Sequence, residues 1–126
     1  LNFQVIVEQA LILIVLQIYF KVEAETADQF ENMYVTSYKP ALRKQEGYQE
    51  SRLLRIFDSA MSTEISATPS RFNYQMELKF SSEEARREWL KSPEHNEVWS
   101  LATALATTAE WRGYDLIDND SYNREG

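Results

Sequence analysis

The chain has 126 residues, enough for one domain with one core. Its net charge of −7 is spread along the chain, which argues against nucleic acid or an anionic membrane as partner. With no cysteine, disulfides and thiolate chemistry have no residues to use, and a single histidine argues against a protein-built zinc or copper centre.

Residues 5–22 are almost continuously strand-like, long for one strand. The apolar run 10–16 is too short to span a bilayer, and it lacks the basic flank and small-residue cleavage site of a secretory signal. It reads as buried strand, and the chain as cytoplasmic. Residues 13–23 suit a central strand covered on both faces. Residues 1–12 form an extension: an extra edge strand or an arm to a neighbouring subunit.

Thr26 and Gln29 have capping-box spacing, and Phe30, Met33, Tyr34, Tyr38 and Leu42 follow at helical intervals. Pro40 should kink or split this helix, and Gly47 is the expected left-handed stop. Residues 48–58 read as strand and 59–70, rich in Ser and Thr, as loop. Over 71–80 the alternation is clean: Phe72, Tyr74, Met76, Leu78 and Phe80 share one face.

Residues 81–99 hold the only histidine and two of the three tryptophans. Ser81 with Glu84 has capping-box spacing, and Ser92-Pro93 pairs a second cap with proline at the first helical position. Val98, Leu101, Ala102 and Leu105 form the apolar stripe of the second helix. Residues 111–118 read as the last strand and 119–126 as a polar, disordered tail.

The order strand, helix, strand, strand, helix, strand is the α+β, ferredoxin-like βαββαβ pattern with an antiparallel sheet. Two helices cover one face, so a second sheet from an identical subunit is expected on the other, making a homodimer.

Three segments resemble the antibiotic-biosynthesis monooxygenase domain of the dimeric α+β barrel superfamily. They are Lys39-Pro40-Ala41-Leu42-Arg43-Lys44-Gln45-Glu46-Gly47-Tyr48, the 81–95 segment ending Ser92-Pro93-Glu94-His95, and Tyr114-Asp115-Leu116. The resemblance covers residues 13–118. It implies two sheets facing each other across a dimer interface and a pocket between helices and sheet in each subunit. The family includes cofactor-free oxygenases of aromatic polyketides, haem-degrading enzymes and isomerases. The haem-degrading branch needs an iron-binding histidine ten residues after a helix tryptophan. Counting from Trp89, that position is Trp99, so haem cleavage is disfavoured.

His95 and Trp99 lie four apart and stack on one face of an intact helix. An imidazole beside an indole could accept a phenolic proton as general base; the competing reading is a helix-start histidine bonded to backbone or water. Trp89 and Trp99 are candidate pocket walls, or core. Trp111 reads as core or interface. Tyr34 and Tyr38 could orient a substrate oxygen, and Gln17, the one polar group in a long apolar strand, could offer a hydrogen bond from the sheet. Arg52 and Arg55 lie on opposite strand faces, so at most one can face a pocket. The expected activity is cofactor-independent oxygenation of a planar, phenol-like or polyketide-like molecule, without metal or bound organic cofactor. The alternative is a non-catalytic barrel that binds a small hydrophobic or aromatic molecule.

Overall fold

The computed structural model describes residues 12–124. The expected extension over 1–12 therefore lies, but for Ile12, outside the described residues. The strands are β1 (Ile14–Lys21), β2 (Tyr48–Arg55), β3 (Tyr74–Phe80) and β4 (Thr108–Asp115). The helices are α1 (Ala27–Met33), α2 (Lys39–Arg43), α3 (Ser59–Glu64), α4 (Glu83–Lys91) and α5 (Pro93–Leu105). The sheet has the order β2-β3-β1-β4 and every pairing is antiparallel. This is the ferredoxin-like α+β fold.

The core follows from period-2 alternation. Ile14, Ile18 and Phe20 on β1 meet Tyr74, Met76, Leu78 and Phe80 on β3, all buried beneath the helices. Phe30, Met33, Tyr38, Leu42, Trp89, Val98 and Ala102 close the layer from the helix side. Leu101, assigned to the apolar stripe, is instead exposed. Asn73 ties the sheet together just before β3. Its carboxamide donates to the Val22 carbonyl at 2.7 Å and accepts from the Val22 amide at 2.8 Å.

Pro40 splits its helix as its missing N–H requires. The chain passes from α1 into a π-helical turn, Tyr34–Tyr38, before α2 starts with the proline in its first turn. Several local expectations need correction. Thr26 does not cap α1; its hydroxyl donates to the Leu105 carbonyl at 2.9 Å, fastening α1 to the end of α5. The α4 cap is Ser82, which accepts from the Ala85 amide, because the Ser81 amide is still held by the Gly47 carbonyl at 2.8 Å. Gly47 has no positive φ. It is needed for close approach, since a Cβ there would lie 2.2 Å from the Ala85 Cβ on α4.

Residues 59–64, read as loop, form α3, capped by Asp58 accepting from the Met61 amide at 2.9 Å. No α3 residue is buried, so no apolar periodicity marks it. β4 starts at Thr108, three residues before the expected Trp111, because Thr107 donates through both amide and hydroxyl to the Lys21 carbonyl and opens the ladder early.

Among the described residues no helix covers the other face of the sheet. β1 is central, but the described chain covers only one of its faces. The open face is a polar array. Glu77 accepts from Gln17 at 3.0 Å, Gln75 at 2.9 Å and Arg52 at 2.5 Å, and Tyr19 donates to Gln17 at 2.5 Å. Among the described residues no helix is long and apolar enough to cross a membrane.

Candidate functional site

The joint between α4 and α5 is locked by one serine. Ser92 Oγ accepts from the His95 amide at 3.1 Å and donates to the Trp89 carbonyl at 2.7 Å, closing one helix and opening the next. This orients a run of aromatic rings. Tyr38 meets Trp89 edge-on at 6.0 Å between centroids, and Trp89 meets His95 edge-on at 5.1 Å. His95 and Trp99 are parallel within 11° at 6.1 Å, and Trp99 meets Trp111 of β4 edge-on at 5.7 Å.

Between this run and the sheet lies a cavity of about 180 Å³ lined by Leu16, Ile18, Arg86, Leu90, His95, Trp99 and Trp111. A second compartment of about 420 Å³ shares Leu16, Arg86 and Trp111 with it and continues past Gly113 to Glu83 and Asp115. A Cβ at Gly113 would meet nothing within 4 Å, so the space beside it is open.

His95 is half-buried. Burial lowers its pKa below the ordinary imidazole value, partly offset by a hydrogen bond with the Asn96 side chain. It is therefore neutral at pH 7, the form that accepts a proton. Its Nδ1 is buried and finds no hydrogen-bond partner among the described residues.

Of the sequence candidates, His95 and Trp99 share this cavity. Trp89 does not line it; at 1% exposure it is core, packed behind His95. Tyr38 is also core, its hydroxyl unpartnered among the described residues and its pKa pushed far up by burial. Tyr34 faces β2, its hydroxyl 2.6 Å from Ser51 Oγ, beside a separate hollow with Glu31 and Arg55. Gln17 lies on the opposite sheet face, bonded to Glu77 and Tyr19. The reason is parity: Leu16 and Ile18 point to the helices, so Gln17 cannot.

Arg52 and Arg55 pair with Glu77 and Glu31 and neither reaches the His95 cavity. Trp111 is not core; it is 60% exposed and forms the outer wall. The residues missed are Leu16, Ile18, Leu90 and Arg86. Arg86 and Leu90 are four apart on α4, a spacing that placed them on one face.

No protein-family model matches the chain, and no curated protein matches its sequence. Its fold matches solved structures closely. SnoaB, a cofactor-independent oxygenase from Streptomyces nogalater, superposes in mutant form with a TM-score of 0.66 at 19% identity, over 85% of this chain and 95% of that one. The hydroxynitrile lyase of Passiflora edulis gives a TM-score of 0.69 at 11% identity, covering 88% of this chain and 97% of its own. A dimeric ferredoxin-like protein of unknown function from Thermobifida fusca gives 0.62 at 10% identity, covering 83% and 92%. The likeness is one of fold. It bears out the ferredoxin-like α+β fold that the sequence resemblance implied.

Proposed function

We propose that this protein is a cofactor-independent oxygenase of a planar, phenol-like small molecule, with His95 as general base and Trp99 and Trp111 as the walls that hold the ring. The observation carrying this reading is a neutral imidazole stacked on an indole inside an otherwise largely apolar cavity. The fold likeness to an oxygenase that works without cofactor is consistent with it.

His95 takes the phenolic proton, and the phenolate gives one electron to dioxygen. The resulting radical pair couples through a new bond between oxygen and a ring carbon, and the imidazolium returns its proton to the peroxide. That carbon then loses its hydrogen as the O–O bond breaks, leaving a quinone carbonyl and water. Removing a general base costs about 10²–10⁴ in rate. The test is oxygen uptake over a panel of naphthols and hydroxyquinones, with wild type and His95→Gln. Uptake that His95→Gln slows by that factor supports the reading; binding without uptake assigns the cavity to a ligand-binding role.

We further propose that two copies pair through the open sheet face. Glu77 keeps only 14% side-chain exposure there while accepting three hydrogen bonds, so the array is already ordered for a partner. Proteins with this fold from Thermobifida fusca and Bacteroides fragilis are described as dimeric. Stable pairing buries at least about 1,000 Å²; sedimentation showing a monomer at micromolar concentration refutes it.

A further inference from the structure

Arg86 lines the cavity, and its placement sets it apart from its neighbour on the same helix. Glu83 on α4 pairs with both Arg86 and Arg87. Arg87 does so from solvent, with 67% of its side chain exposed, whereas Arg86 keeps only 24%. A salt bridge serving helix stability alone has no need of the second, inward arginine, since exposed pairs contribute little. The pairing also leaves donors free. Glu83 takes the Arg86 Nε–H at 2.7 Å and one Nη2–H at 2.6 Å, and a guanidinium has five. Three remain, on a side chain held at a fixed angle beside the cavity.

The charges around the groove are sorted. Apart from half-buried His95, Arg86 is the only ionisable group among the described residues that line the inner cavity. The outer compartment adds two carboxylates, Glu83 on α4 and Asp115 on β4. The inner cavity thus holds no carboxylate of its own, whereas the outer compartment carries two, one of them, Glu83, already paired with Arg86. At about 180 Å³ the inner cavity suits a single ring, given that a cavity of about 150 Å³ binds benzene.

We infer that Arg86 is the anion-stabilising residue of this pocket, so that its ligand binds as the oxyanion, ring against Trp99 and Trp111 and charged oxygen toward the guanidinium. This rests on reading the cavity as a site for a planar phenol and assigns the ionised form to Arg86. An oxyanion there would lie beside Leu16 and buried Ile18, apolar walls that offer it no competing hydrogen bond, and a charge-assisted bond is stronger than a neutral one. Arg86 thereby supplies the second half of the chemistry: His95 removes the proton, and Arg86 holds what is left.

The test uses para-nitrophenol, which is yellow only as its phenolate, and para-nitroanisole, the same shape without an acidic proton. Binding of both is followed by quenching of tryptophan fluorescence, and ionisation by absorbance across pH. In wild type the bound nitrophenol should ionise at lower pH than the free compound. Arg86→Gln should weaken the phenolate about ten- to a hundredfold and leave nitroanisole unchanged. Arg86→Lys should retain most of the ionisation shift, and Arg87→Gln, which breaks only the exposed pair, should change neither. Should Arg86→Gln fail to fold, the wild-type shift and the Arg86→Lys variant carry the test: no shift in wild type, or equal loss of both ligands in Arg86→Lys, overturns the inference. Equal loss of both ligands in a folded Arg86→Gln, or no loss, also overturns it. Failure of both ligands to bind wild type refutes instead the pocket reading beneath it.

Discussion

Gly47→Ala is the sharpest probe of how the pocket wall is seated. The new Cβ would lie 2.2 Å from the Ala85 Cβ and 3.1 Å from Ser81 Oγ. Carbon atoms pack best at about 3.5–4.0 Å, so α4 must retreat by more than about an ångström. The obstacle is a Cβ beside Arg86, with no rotamer to yield. Overpacking of this kind costs about 1–3 kcal/mol. Against it stands about 0.4–1 kcal/mol gained by stiffening the unfolded chain, available because Gly47 has no positive φ. The net expectation is a loss of about 1–2 kcal/mol, or a Tm lower by roughly 3–10 °C for a domain of this size. Ala85→Gly alone should cost about 1 kcal/mol through helix propensity. The double variant should be no worse than Ala85→Gly, a coupling near the full clash energy. Urea and thermal unfolding followed by circular dichroism measure all four corners. A Gly47→Ala protein as stable as wild type, or a double variant with additive losses, would refute the close approach of the turn and α4.

The remaining expectations concern the site. Burial depresses the His95 pKa in the folded state below its unfolded value near 6.5. The unfolded chain therefore binds the proton more readily, so the His95 contribution to stability is complete above pH 6.5 and declines as pH falls through the folded pKa. His95→Gln should flatten that part of the stability–pH curve, and an unaltered curve would contradict the burial. Activity should fall over the same acid range, because the base must be neutral. Gly113→Val should fold normally, since space is open there and valine suits a strand. It should spare a single-ring ligand while excluding one of three fused rings in a fluorescence competition assay; equal binding of both would separate the two compartments.

Much of the fold was legible because its rules are local. Alternation over 74–80 placed Tyr74, Met76, Leu78 and Phe80 in the core, Ser92-Pro93 marked the helix joint, and Pro40 announced the break in the first helix. The i,i+4 spacing brought His95 to Trp99. Gln17 was misplaced although the same alternation, applied to Leu16 and Ile18, assigns it to the other face. α3 left no trace because an exposed six-residue helix buries nothing that could impose a period.

What only the tertiary structure decided is the composition of the cavity. Its walls come from β1, α4, α5 and β4, brought together by the pairing of Ile18 with Trp111 across 93 positions of sequence. Arg86 and Arg87 are adjacent and chemically identical, and sequence cannot say which turns inward. Packing of α4 against Gly47 sets that helix's rotation, and the rotation aims Arg86 at the cavity while leaving Arg87 in solvent. Side-chain type is a property of the chain, but the direction in which it points depends on contacts between segments far apart.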